Sequence, residues 1–152
     1  LNIAICAVSS IIFFCSKGLC HGDIKPSNLM FANKSNLIVL IDYGSAGKFY
    51  EVASGGNTER YGLDSEFGAD KYDQICLSAT LVEIKWGFDA LSSIHTVKEL
   101  ESYVKSKNTT DATCALIIKL LNEPLTVARS YLLTLDHPSK YLRSFETLNG
   151  LS

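Results

Sequence analysis

The sequence predicts a mainly α-helical domain that carries one short β-hairpin. Three observations lead there. Apolar residues recur at helical spacing through the carboxy-terminal half, as with Ala115, Leu116, Ile117, Leu120 and Leu121. Two short runs of strand formers, Leu29-Met30-Phe31-Ala32 and Leu37-Ile38-Val39-Leu40-Ile41, flank the turn material Asn33-Lys34-Ser35-Asn36. The 152 residues are 47% hydrophobic and 20% charged, the balance of an ordinary globular domain of one core.

The elements follow in order. Leu1 to Cys15 is an uncharged apolar run that stops at Lys17, short of the roughly 20 residues a membrane span requires. It has no basic leader, so a buried helix ended by Gly18 is the expectation, and no membrane is expected as a partner. The hairpin comes next. Residues 45 to 70 hold few large apolar side chains and include Ala53-Ser54-Gly55-Gly56-Asn57-Thr58, which reads as a mobile loop. From Asp73 to Ile84 only Ser78, Thr80 and Glu83 interrupt apolar residues after Ile75, so this helix belongs in the middle of the domain. Thr96-Val97-Lys98-Glu99 is a capping box opening a helix to about Lys107. Three more helices are expected over Asp111–Glu123, Val127–Leu135 and Ser139–Leu148, the first of them ended by Pro124.

Composition narrows the function. A formal net charge of -2 and a pI near 5.9 give no electrostatic case for a nucleic acid or an anionic membrane. Five cysteines form no Cys-x-x-Cys pair and leave an odd one over, which argues against a zinc site or disulfide framework. A reducing, cytoplasmic compartment is the weak inference from that usage.

The chemistry concentrates in His21-Gly22-Asp23-Ile24-Lys25-Pro26-Ser27-Asn28, followed by Asp42-Tyr43-Gly44. Asp23 and Asn28 lie five residues apart on one loop, close enough to converge, and folding back at residues 33–36 carries Asp42 to the level of Asn28. Taken alone, Asp42-Tyr43-Gly44 could be mere strand-end punctuation. Joined to the preceding loop, the pattern resembles the eukaryotic protein kinase family: His21 to Asn28 is similar to its catalytic loop, and Asp42-Tyr43-Gly44 to its metal-binding Asp-Phe-Gly.

The resemblance covers about Ile3 to Leu148 and implies a partial kinase domain over residues 1–152, the carboxy-terminal lobe with its amino-terminal lobe absent. Residues 45–70 would be the activation segment. Asp23 would sit beside the attacking hydroxyl, with Lys25 as the cation near the transferred phosphate of ATP. Asn28 and Asp42 would hold Mg²⁺ against the phosphates, since that hard cation takes oxygen ligands. His21, Gly44 and Asp73 would be structural, Asp73 by bonding the backbone of the catalytic loop or, more simply, by capping its own helix. Lys25 is the family's usual mark of Ser/Thr specificity and a protein substrate.

Several features depart from the family. Gly22 replaces the Arg that many kinases use to clamp an activation-segment phosphate. Asp64-Ser65-Glu66 stands where Ala-Pro-Glu is usual, and Arg143 is the candidate partner of Glu66 or a plain surface residue. Thr58, with Ser54 and Tyr61, is a candidate phosphorylation site or a solvated hydroxyl. No Gly-rich strand-turn-strand, strand Lys or helix Glu is present, so the chain is expected to be inactive in isolation, its apolar upper surface facing a missing lobe or partner protein. Two other readings stand beside the enzyme. One is a pseudokinase or scaffold module. The other is a kinase-like small-molecule phosphotransferase, suggested by His21-Gly22-Asp23.

Overall fold

The first helix forms where the sequence is least charged. A computed structural model describes residues 2–32, 37–48, 59–63, 69–107 and 110–135. Helix α1 spans Asn2–Ser16, and Ala4, Ile5, Ala7, Val8 and Ile11 are fully buried along it. Gly18 follows at φ +69°, a left-handed conformation that a side chain would resist. The Lys17 and Gly18 N–H groups donate back to Phe14 and Cys15, closing the helix end.

Strand β1, Leu19–Cys20, leads into the loop at His21, and a 3₁₀ turn over Pro26–Asn28 leads out of it. Strands β2, Leu29–Ala32, and β3, Leu37–Leu40, pair antiparallel with Leu29 opposite Leu40 and Ala32 opposite Leu37. This is the hairpin the strand formers indicate. The turn at 33–36 lies outside the described residues. Met30 and Phe31 are each more than half exposed, as are Tyr43 and Phe88.

A 3₁₀ turn at Tyr43–Ser45 follows β3, and strand β4, Gly47–Lys48, pairs antiparallel with β1, Leu19 opposite Lys48. A short helix α2, Glu59–Gly62, then packs on the long helix α3, Ala69–Trp86. The loop reading of residues 45 to 70 is corrected at its described residues: β4 pairs with β1, and α2 forms where Arg60 and Tyr61 have a partner on α3. Residues 49–58 and 64–68 lie outside the described residues, and with them Ser54, Thr58 and Glu66.

Helix α3 is the centre of the domain. Every residue from Ile75 to Val82 is buried, including Ser78 and Thr80 at 0% exposure. The helix starts earlier than its apolar stretch indicates and ends before Gly87, whose φ is +93°. A 3₁₀ turn at Phe88–Leu91 follows, then helix α4, Val97–Ser106. Its capping box is complete: the Glu99 N–H donates to Thr96 Oγ1 at 3.2 Å and the Thr96 N–H to Glu99 Oε2 at 3.0 Å.

Helix α5, Ala112–Asn122, starts from Asp111, whose carboxylate accepts the N–H groups of Thr113 and Cys114. Helix α6 covers Leu125–Thr134, two residues earlier than the apolar spacing indicates, because Pro124 ends one helix and starts the next. The helix expected over Ser139–Leu148, and Arg143 on it, lie outside the described residues. Helices α3, α5, α6 and α1 bury Leu77, Leu100, Leu116, Ile117, Leu120 and Leu132 in one cluster with the α4 face. Among the described residues, no helix is long and apolar enough to cross a membrane. The chain is mainly helical with small antiparallel strand pairs.

Candidate functional site

The loop from His21 to Asn28 is held from below by α3. Asp73, only 1% exposed, accepts the His21 N–H at 2.7 Å and the Gly22 N–H at 3.0 Å. Those two amides would otherwise be buried without partners. Burial pushes the Asp73 carboxyl above its usual range, and the two N–H donors pull it back. The helix-cap reading of Asp73 is corrected: α3 begins at Ala69, so Asp73 lies inside the helix, and its bonds instead reach 51 and 52 residues back along the chain.

Gly22 has φ +81° and is buried. An Arg at this position would need a backbone conformation that costs a side chain roughly 1–2 kcal/mol. An Arg here would therefore be strained in its backbone as well as charged at a buried position. The His-Gly-Asp triplet already contained that signal.

His21 is fully buried and uses both ring nitrogens. Nε2 lies 3.1 Å from the Ile41 carbonyl, and Nδ1 lies 3.3 Å from the Asp23 N–H. A neutral ring protonated on Nε2 satisfies both contacts, donating at one end and accepting at the other. Burial lowers the His21 pKa, against the opposing pull of Asp73, the Ile41 carbonyl, Asp23 and Asp42. The ring also meets Tyr43 edge-on at 5.3 Å and Phe14 at 6.0 Å, while Phe14 and Tyr43 stack at 5.6 Å.

Asp23, Lys25 and Asn28 come into direct contact. Lys25 Nζ lies 2.7 Å from Asp23 Oδ2. The Asn28 amide donates to the Asp23 carbonyl at 2.8 Å and to Asp23 Oδ2 at 3.1 Å. These donations fix which end of the amide is nitrogen, because both partners are acceptors. The amide oxygen is left to act as a ligand of a cation or as a further acceptor.

Asp42 follows a backbone bond to the residue that carries the amide. The Ile41 N–H donates to the Asn28 carbonyl at 2.9 Å, extending the β2–β3 ladder by one position. Asp42 follows at φ 62°, ψ 78°, so strand alternation ends at the residue bearing the carboxylate. Asp is one of the few side chains that tolerate this region. Its turn is closed three ways: Gly44 N–H to Asp42 Oδ1 at 3.3 Å, Ala46 N–H to the Tyr43 carbonyl at 3.0 Å, and the Tyr43 hydroxyl to the Leu40 carbonyl at 2.7 Å. A Cβ on Gly44 would lie 3.2 Å from Asp42 Oδ1, so a side chain would crowd that carboxylate.

Two contacts here have no counterpart in the sequence reading. The Tyr43 hydroxyl bond is one, and the Thr80 hydroxyl donating to the Ile24 carbonyl at 3.2 Å is the other. The only sequence signal for Thr80 was a hydroxyl amid apolar residues. Tyr61 is buried at 7% exposure with its hydroxyl 3.1 Å from Glu83 Oε2, so it is a packed anchor rather than an accessible hydroxyl. Arg60 pairs with the same carboxylate at 3.2 Å, lies over the Phe88 ring at 3.8 Å and donates to the Phe88 carbonyl.

No protein-family model matches the chain, and no curated protein matches it. Among the described residues, no group of three or more His, Cys, Asp or Glu side chains could hold a metal ion. Asn28 and Asp42 supply one amide and one carboxylate, a hard oxygen set that fits Mg²⁺ only where phosphate and water complete the coordination. Two surface hollows lie elsewhere, one beside Cys114, Ile118 and Asn122 and one beside Ile12, Cys15 and Leu125.

Proposed function

We propose that this chain is the carboxy-terminal lobe of a Ser/Thr-type protein kinase that transfers the γ-phosphoryl group of ATP to a protein hydroxyl. The observation that supports this reading most is the Asp23–Lys25–Asn28 contact cluster on a loop bonded to buried Asp73, with Asp42 one residue past the Ile41–Asn28 bond. A structural loop has no need to bring a carboxylate, an amide and an ammonium into direct contact, nor to set a second carboxylate in a left-handed turn just past a backbone bond to that amide's residue. Phosphoryl transfer needs that set, because its catalysis is positioning plus neutralisation of charge.

In this reading Asp23 orients the substrate hydroxyl and accepts its proton as oxygen attacks phosphorus. Lys25, 2.7 Å from that carboxylate, places a positive charge where the transferred group gains negative charge. Asn28 and Asp42 would hold Mg²⁺, which would supply positive charge to offset that of the phosphates and lessen their repulsion of the attacking oxygen. Asn28 has a second task. Its amide group fixes the Asp23 side chain through the same carboxylate oxygen that Lys25 approaches.

The test is phosphotransfer to protein substrates by the full-length protein with Mg²⁺ and ATP. Asp23→Asn keeps the shape of the side chain and should lower kcat by roughly 10²–10⁴-fold, the usual contribution of a positioned base. Unchanged transfer in that variant overturns the assignment of Asp23. Calorimetry showing no Mg²⁺–ATP binding by the wild-type protein favours a scaffold role instead.

A further inference from the structure

Helix α3 touches the catalytic loop at more points than Asp73. Asp73 and Thr80 are seven residues apart, about two turns, so they lie on one face of the helix. Asp73 takes the His21 and Gly22 N–H groups, and Thr80 donates to the Ile24 carbonyl at 3.2 Å. The loop backbone is therefore fixed on both sides of Asp23, which lies between Gly22 and Ile24. The two contacts are roughly 10 Å apart along the helix axis.

The Thr80 contact is not the default for a hydroxyl inside a helix. Such a group commonly bonds the carbonyl four residues back, as Ser78 does to Gln74 at 2.8 Å. Thr80 instead reaches 56 residues away in sequence, to a loop carbonyl. Both Thr80 and Ile24 are 0% exposed, so water is no ready substitute for that donor. A valine would fill the same space and keep the apolar contacts of this helix. What the hydroxyl adds is a fixed direction for the peptide joining Ile24 to Lys25.

We infer that Thr80 is a positioning residue for the Asp23–Lys25 pair: its hydroxyl holds the Ile24 carbonyl so that both side chains present their charges at one place. Without that bond the Ile24–Lys25 peptide is free to rotate, and the ammonium and carboxylate no longer keep a common geometry. A displacement on the order of 1 Å at a reacting group is enough to cost up to a hundredfold in rate. The inference rests on the kinase reading of Asp23, and its test has an arm that does not.

Thr80→Val and Thr80→Ser, made in the full-length protein, test it. Thr80→Val should lower kcat for phosphotransfer about tenfold while KM for ATP stays within about twofold, and Thr80→Ser should restore kcat to near wild type. In parallel, amide hydrogen exchange over residues 21–25 should rise about tenfold in Thr80→Val and not in Thr80→Ser, with α4 and α5 unchanged. Unchanged kcat in Thr80→Val, or a loss that Thr80→Ser does not rescue, overturns the positioning role. Exchange that rises equally throughout the chain also overturns it, since the hydroxyl would then serve global stability. A wild-type protein with no phosphotransfer defeats the kinase reading alone, and the exchange comparison still decides whether Thr80 holds the loop.

Discussion

Asp73 accepts the backbone N–H of His21 at 2.7 Å, joining the start of the central helix to a loop 52 residues earlier. A neutral amide at this position would offer one oxygen where two N–H groups now bond separate carboxylate oxygens, and its NH₂ would face a donor. Asp73→Asn should therefore destabilise the fold by about 2–3 kcal/mol. For a chain of this size that corresponds to a fall of roughly 4–12 °C in thermal midpoint. Calorimetric melting measures it, and a midpoint within a degree of wild type would mean the bonds contribute little.

The His21 ring gives a pH dependence. Its neutral form donates to the Ile41 carbonyl and accepts the Asp23 N–H, so a second ring proton would oppose the Asp23 amide. Burial holds its folded pKa below the usual 6.5, so below that value the unfolded chain binds a proton that the folded chain refuses. The His21 contribution should then be constant above about pH 7 and decline as pH falls through 6.5. Asp73, Asp23 and Asp42 face the ring and moderate the effect. Urea titrations at about pH 7.5 and 5.5, repeated on His21→Gln, check this. A slope that persists in the variant belongs to other groups.

Gly22 tests the backbone directly. With φ +81° and a buried position, Gly22→Ala should cost about 1–2 kcal/mol, and Gly22→Arg more because a charge is added where there is no space in solvent. Chemical denaturation of both variants gives the ordering. An Arg variant as stable as wild type would require the loop to adopt another conformation.

How much of this could be read from the residues varied with the range of the forces involved. The β2–β3 hairpin, the Thr96–Glu99 box and the apolar spacing of α5 with its stop at Pro124 were legible because each is local: propensity, capping and turn chemistry act within a few residues. The centrality of α3 was legible too, since no face of Ile75–Val82 is polar enough for water. The β1–β4 pair was not. Two-residue strands carry no periodicity, and Leu19 meets Lys48 only after the loop and hairpin have folded between them. Helix α2 was hidden for a similar reason: Arg60 and Tyr61 are ordered by Glu83, more than 20 residues on. At the site, residue types announced Asp23, Asn28 and Asp42. Their mutual arrangement depends on backbone bonds, such as Ile41 to Asn28, that no side chain advertises.

The Glu83 carboxylate offers a fourth measurement. It serves Arg60 and Tyr61 together, and Arg60 also lies over Phe88. Arg60 and Glu83 side chains are 23% and 13% exposed, so their pairing is partly screened and should be worth about 1 kcal/mol. The double-mutant cycle of Arg60→Met and Glu83→Gln should show coupling of that size, falling in about 1 M salt. Additive single effects would mean that Phe88 and the backbone, rather than the ion pair, hold α2.

The last prediction separates charge counting from geometry at Asn28. A second carboxylate in the proposed Asn28–Asp42 ligand pair looks, by charge alone, like an improvement for a divalent cation. The donor pattern says otherwise. The Asn28 amide gives protons to the Asp23 carbonyl at 2.8 Å and to Asp23 Oδ2 at 3.1 Å, in a position only 5% exposed. An ionised carboxylate in place of that amide would meet both oxygens with no proton to offer, and like charges this close resist joint ionisation. Asn28→Asp should therefore destabilise the protein by about 2–3 kcal/mol near neutral pH. Repulsion and burial would raise the folded pKa of the new acid above its unfolded value of about 3.9. The penalty is then present above the raised folded pKa and shrinks as pH falls toward about 3.9, because protonation restores a donor. Melting wild type and Asn28→Asp side by side from about pH 7.5 to 4.5 should show the difference in midpoint narrowing with acid. A constant difference would mean that the Asn28 amide donations do not set the geometry of Asp23.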